Sequence, residues 1–182
     1  TTHRDADVIG ELVNVQKSVK VPWMNFLTNS AAWTLYVNHF ALNYGVYTMM
    51  TYMPKFLDEV LDMNMKNAGL VSFLPYLLMA VASILGGFVA DYMRLRCRIR
   101  IVRVVFLVAS FLSSGVFLVL LGWTTEDKTL AVSVMTLAIG CSGLANASYG
   151  PNFMDISPFY AGQLFGLSNV IANIAGIVAP LV

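Results

Sequence analysis

At 182 residues, 58% of them hydrophobic and only 12% charged, with a mean hydropathy of +0.70, the chain sits far from a soluble domain, where roughly a quarter of the residues are charged. A net charge of +1 leaves neither a basic surface for nucleic acid nor an acidic tail. Cys97 and Cys141 are far apart, fit no zinc or CxxC spacing, and read as two free thiols.

In chain order, residues 1–22 are polar and mixed in charge. Val8, Leu12, Val15 and Val19 recur at helical spacing, so a short surface helix is one reading, and a cytoplasmic linker is the simpler one. Five apolar blocks follow, at about 31–53, 68–90, 101–123, 129–150 and 159–182. Each is long enough to cross the roughly 30 Å hydrocarbon core as a helix. Soluble helices carry a charged stripe, and these blocks do not. They predict an all-α, polytopic transmembrane helical bundle over residues 23–182. Thr1 is no initiator Met, no signal-peptide pattern follows it, and the chain stops at Pro180-Leu181-Val182 inside an apolar stretch. The sequence therefore reads as a piece of a longer protein.

Orientation follows from the loops. Arg4, Lys17, Lys20, Arg94, Arg96, Arg98, Arg100 and Arg103 fall on one side, and Lys55, Lys66 and Lys128 on the other with Asp58, Glu59, Asp62, Glu126 and Asp127. The positive-inside rule places the arginine-rich side, with the 91–100 and 151–158 loops, in the cytoplasm. Trp23, Trp33 and Trp123 stand at helix ends, where interfacial aromatics belong.

The helix faces say more than an anchor needs. Ser72, Tyr76, Ala80, Ser83, Gly87 and Ala90 form a small-residue face on the second block, as do Ser133, Thr136, Gly140, Gly143, Ala147 and Gly150 on the fourth. The fifth has Gly162, Gly166, Asn169, Asn173, Gly176 and Pro180. Such faces let membrane helices approach closely. The third block is nearly all aliphatic or Phe and suits a peripheral position. The first is the most polar: His39, Asn43, Tyr47 and Thr51 share a face, with Asn38 and Tyr44 beside it. Polar groups are costly in hydrocarbon, so this face must meet other helices or water. Asn43, Tyr44, Tyr47 and Asn169 are the candidates for a substrate cavity, with interhelical hydrogen bonding the alternative for each residue taken singly. His39 could carry a proton, although its place near the helix start favours packing. No GxSxG, HExxH or glycine-rich phosphate loop is present, so the chain is read as no enzyme, and it implies no metal or cofactor.

The segment Gly86-Gly87-Phe88-Val89-Ala90-Asp91-Tyr92-Met93-Arg94-Leu95-Arg96 resembles the loop signature of the major facilitator superfamily, between the second and third helices of each six-helix half. Its glycines permit a close helix crossing, and Asp91 can hold a helix end or a neighbouring Arg. Gly87, Asp91, Arg94 and Arg96 are thus the candidate gating residues, against the plainer reading of a charged loop that sets topology.

Longer stretches narrow the family: Pro22-Trp23, Asn38-His39-Phe40, Asn43-Tyr44-Gly45-Val46-Tyr47, Pro54 to Val60, Gly69 to Tyr76, Asn152 to Gly162 and Gly166 to Asn169. In this order they resemble helices seven to eleven of the solute carrier family seventeen, which includes sialin, vesicular glutamate transporters and sodium-phosphate transporters. The resemblance implies a partial major facilitator fold whose missing amino-terminal half completes two six-helix halves, working by alternating access around a midplane site. It also implies a secondary transporter of small organic or inorganic anions, with proton or sodium coupling, in the lipid bilayer of the plasma membrane or of an endomembrane such as a lysosome or vesicle. The fragment alone would not transport. Asn152, Asp155 and Pro158 match the family's cytoplasmic loop between helices ten and eleven. Where the vesicular glutamate branch uses a substrate-binding Arg on helix seven, this chain has Leu42. A major facilitator carrier of another substrate class and a transport-dead receptor or scaffold are the alternatives.

Overall fold

A computed structural model describes residues 21–181. Most of the expected linker at 1–22, with the possible surface helix through Val8 and Val19, lies outside the described residues, as does Val182.

Helix α1 (Trp23–Thr28) is a single short turn-and-a-half whose Trp23, Met24 and Leu27 are exposed. Asn29 then starts α2 (Ser30–Lys55), its side-chain oxygen accepting from the Ala31 amide at 2.8 Å. The helix does not stop at the expected boundary near residue 53. It runs through Pro54 into a π-helical turn at Phe56–Val60 and ends where Asp62 takes a left-handed φ of 47°. α3 (Met65–Arg94) and α4 (Ile99–Leu121) form a hairpin closed by the arginine-rich loop. α5 (Lys128–Ser142) continues through a 3₁₀ turn at Gly143–Ala145 into α6 (Asn146–Ile156), and α7 (Ala161–Val178) ends in a second 3₁₀ turn at Ala179–Leu181. Asp127 caps α5, with Oδ1 accepting from the amides of Thr129 at 2.9 Å and Leu130 at 3.2 Å. An Asp127→Ala variant should lose about 1 kcal/mol of stability, typical of a lost N-cap. A lowered unfolding midpoint in detergent checks it.

Four helical stretches are long and apolar enough to cross a membrane: Ala68–Arg94, Ile99–Leu121, Lys128–Ile156 and Ala161–Leu181. α2, the fifth expected span, has the length at 26 residues but not the apolarity. Its Asn38, His39, Asn43, Tyr44, Tyr47, Thr48, Thr51 and Tyr52 dilute the aliphatic residues. Among the described residues the fold is all helix, with no strand.

The sequence also places the end of the fourth span too early. Residues 151–156 are not loop but the last turns of α6, despite Pro151 inside it. Proline lacks the amide that would bond the carbonyl four residues back, and the Arg103 side chain takes that carbonyl of Ala147 instead, at 2.7 Å. Neighbouring helices make a membrane proline tolerable in this way.

The combined α5–α6 span is the mast of the bundle. Half of its most apolar stretch (50%) is buried, against 11% for α3 and for α4. α3 and α4 pack on one side of it, while α2 and α7 pack on each other and against α6. One apolar cluster joins Met53, Leu57 and Leu61 to Ala131, Met135 and Ile139, and another, at the opposite end, joins Phe26, Leu35 and Tyr36 to Phe153 and Leu164. α4, expected to be peripheral, is little buried, and α3 is buried to the same small extent.

Close packing on the mast depends on glycines at two places. A Cβ on Gly140 would strike the Leu78 side chain, and one on Gly143 would strike the Met79 carbonyl. The 3₁₀ turn interrupts the α-helical hydrogen-bond ladder there, and hydroxyls take up carbonyls beside it: Ser110 donates to the Ser142 carbonyl at 3.1 Å and Ser83 to that of Gly143 at 3.0 Å.

Candidate functional site

The seam between α2 and α7 carries most of the polar face read on α2. His39 Nδ1 lies 2.9 Å from Ser168 Oγ, with its ring 4.5 Å from Tyr149 and 5.8 Å from Phe165. His39 is buried, so packing is its visible role. About two turns on, the Tyr47 hydroxyl donates to Asn173 Oδ1 at 3.1 Å, and its ring lies against Gly176, where a Cβ would sit 3.2 Å from it. Asn173 in turn donates to the Asn169 carbonyl at 2.8 Å.

The buried stripe of α7 is Leu164, Ser168, Ala172, Ala175 and Ala179. Gly162, Gly166, Asn169 and Asn173, read from sequence as a packing face, are exposed beside it. Two stripes at helical spacing coexist on α7, and the small aliphatic one won the seam. Asn169 and Asn173 therefore look out of the described bundle, joined to α2 through Tyr47.

Of the four cavity candidates, the structure brings Tyr47 to the Asn169–Asn173 turn. Asn43 is half-buried one turn before Tyr47. Tyr44 is not drawn into this group: its ring stacks on Phe40 of the same helix at 6.2 Å. Leu42 lines an apolar hollow of about 210 Å³ with Gly45, Met49, Phe111 and Ser114, between α2, α4 and α5.

The glycine-aspartate-arginine motif ends α3. Asp91 and Arg94 pair within the last turn at 3.5 Å, with side chains 74% and 43% exposed. An exposed pair of this kind is worth well under about 1 kcal/mol, so it does little for the fold. The Arg96 guanidinium sits 5.3 Å over the Tyr92 ring. Gly86, not Gly87, lies at the helix crossing: a Cβ there would be 3.3 Å from Leu144, whereas one on Gly87 would meet nothing within 4 Å.

Asn152 and Asp155 sit on the last turns of α6, and Pro158 follows in the turn to α7. Asp155 grips Arg103 of α4, Oδ2 to Nε at 2.8 Å, with the arginine side chain only 6% exposed. Ser148 completes the clasp by donating to the Arg103 carbonyl at 2.7 Å. Thr34, Arg100, Arg103, Asn152 and Asp155 border a hollow of about 320 Å³. Arg103 was counted from sequence only as a topogenic charge. The signal for more was present: an arginine inside an apolar block needs a partner, and Asp155 is the acid at the same end.

Sequence reasoning passed over Asn146, and read Ser83 only as part of a small-residue face and Ser168 only as part of a motif. Asn146 donates to Ser83 Oγ at 2.7 Å. A lone amide in an apolar block was the available clue. Among the described residues no group of three His, Cys, Asp or Glu side chains could hold a metal ion.

Comparison with known proteins supplies the context for this arrangement. The sequence profile of the Major Facilitator Superfamily matches residues 3–180. Sialin of Ovis aries is 34% identical over 185 residues, covering 100% of this chain and 37% of that protein. Sialin of Homo sapiens is 34% identical over 96% of the chain and 36% of its own length. The probable vesicular glutamate transporter eat-4 of Caenorhabditis elegans is 31% identical over 97% of the chain and 31% of its own length. The chain thus spans about a third of the length of these curated relatives.

Proposed function

Because the chain belongs to the major facilitator superfamily, as an integral multi-pass membrane protein with sialins and vesicular glutamate transporters among its relatives, we propose that its full-length protein is a secondary active transporter of organic or inorganic anions. This chain would furnish one flank of the pathway and would not carry substrate alone. The observation that carries the reading is the exposed Asn169–Asn173 turn of α7, bridged to Tyr47 of α2. Amides exposed on a membrane helix are costly against lipid and belong toward water or another part of the protein.

In an alternating-access cycle, Asn43, Tyr47 and Asn169 stand on the pathway wall, with Tyr44 at its margin. Asp91, Arg94 and Arg96 remain solvent-facing at the arginine-rich end, available to the other half of the protein as a gate that forms and breaks. Their weak mutual pairing suits that role. Asn152, Asp155 and Pro158 shape the cytoplasmic side through the Arg103 clasp. The described wall lacks a cation where the vesicular glutamate branch has one, since Leu42 faces an apolar hollow.

The test is uptake of labelled phosphate, sialate and glutamate by the full-length protein in proteoliposomes, under imposed proton and sodium gradients. Uptake of at least one anion is expected, and none under any gradient counts against the proposal. Tyr47→Phe removes the hydrogen bond to Asn173, worth about 0.5–1.5 kcal/mol of stability, and frees the Asn173 amide on the wall, so KM for the carried anion should change. A scaffold with only structural polar faces would lose stability without any change of KM.

A further inference from the structure

Asn146 has no place among the pathway residues named above, yet its setting is unusual. It lies four residues past Ser142, the centre of the Lys128–Ile156 span, or about 6 Å along the axis. Its neighbours Ala145 and Ala147 are buried, but Asn146 is exposed, as are Gly150 and Met154 at the next two helical turns. The remaining flanks of α6 are occupied. Ala147 and Ser148 face Gly86 of α3 and Arg103 of α4, while Tyr149 and Phe153 meet His39 of α2 and Phe165 of α7. The Asn146 flank is the uncovered one between these two packed faces.

The amide is also held in a fixed orientation. Ser83 spends its single proton on the Gly143 carbonyl, at 3.0 Å. Its oxygen can then only accept, so Asn146 must present Nδ2 to it, at 2.7 Å. One N–H and the carbonyl oxygen of Asn146 stay available on the open side. An oriented donor beside an oriented acceptor matches a hydroxyl or amide group, which gives and takes one hydrogen bond each. It does not match an ionised carboxylate oxygen, which only accepts.

We propose that Asn146, braced by Ser83 on the 3₁₀ break of the mast helix, is a specificity-determining contact that reads an uncharged hydroxyl or amide of the carried anion. The proposal rests on the transport reading above and adds the chemical class this flank selects. Asn146 decides among anions of equal charge.

The experiment uses the full-length protein in proteoliposomes. Against whichever of phosphate, sialate or glutamate the parent takes up, Asn146→Ala should weaken inhibition by sialate, which carries hydroxyls and an amide, by roughly 2- to 12-fold. Inhibition by glutamate, whose carboxylates only accept, should move less, and Ser83→Ala should produce a smaller shift of the same kind. Asn146→Asp should raise KM for every anion by placing a negative charge on the path. Unchanged constants for sialate in Asn146→Ala overturn the proposal, as do equal shifts for sialate and glutamate. A separate readout asks whether the position is wet. In a background with every cysteine of the full-length protein replaced, Cys97 and Cys141 among them, the Asn146→Cys thiol should react with a membrane-impermeant methanethiosulfonate, more slowly with 10 or more KM of the carried anion present (roughly 90% occupancy). No reaction from either side overturns the proposal even where the parent transports none of the three anions, a result that by itself sinks only the transport reading.

Discussion

Full-length protein carrying Gly143→Val should fail to accumulate as a folded, monodisperse species in mild detergent, with Gly143→Ala already strongly impaired. A Cβ at this position runs into the Met79 carbonyl oxygen and stands 3.0 Å from its carbon and 3.1 Å from Ser83 Oγ. The obstacle is the backbone of α3, which cannot rotate aside as a side chain can. Overpacking a core typically costs about 1–3 kcal/mol, and a backbone collision at the centre of the most buried span falls at or beyond the top of that range. The displaced α3 would also lose the hydroxyl bond from Ser83 to the Gly143 carbonyl. Gly87→Ala and Gly166→Ala serve as controls, because a Cβ at either glycine meets nothing within 4 Å. Both should match the parent in detergent size-exclusion profile. A monodisperse Gly143→Val protein would show that α3 and α5 do not cross as described.

The second large effect is expected at Arg103. Arg103→Leu leaves Asp155 without its partner and the Ala147 carbonyl without the donor that replaces the missing Pro151 amide. Arg103 is buried but the Asp155 side chain is 25% exposed, so the loss should fall below the about 3–5 kcal/mol of breaking a fully buried ion pair. Asp155→Leu strands the charge of the buried Arg103 guanidinium, 6% exposed, and should also be destabilising. The double variant Arg103→Leu, Asp155→Leu should recover much of the loss, because it leaves no charge uncompensated. Unfolding midpoints of the four proteins in detergent close the cycle. Additive losses would mean that the two side chains act independently.

The parts of this molecule that a sequence shows well are those written in uninterrupted runs. The all-helical membrane bundle and its family were legible because apolar blocks and spaced motifs depend on residue type alone. Boundaries were less so. Asn152 and Asp155 read as loop because Pro151, Asn152 and Asp155 are loop-forming residues in water, whereas inside the bundle Arg103 replaces what the proline removes. Faces were harder again. α7 carries two small-residue stripes, and only the packed helices tell that Ser168 and Ala172 are covered while Asn169 and Asn173 are not. The same ambiguity hid Gly86 behind Gly87. Asn146 and Ser83 are unremarkable apart, and their significance lies in a contact across 63 positions of sequence.

The polarity of α2 has a consequence for how the protein is made. The partners of His39 and Tyr47 are Ser168 and Asn173, respectively 129 and 126 residues downstream. A ribosome therefore delivers α2 long before the helix that satisfies it exists. During that interval the polar face of α2 lacks the partners it meets in the folded bundle. Its final lodging is a late event of biogenesis, set by the arrival of α7.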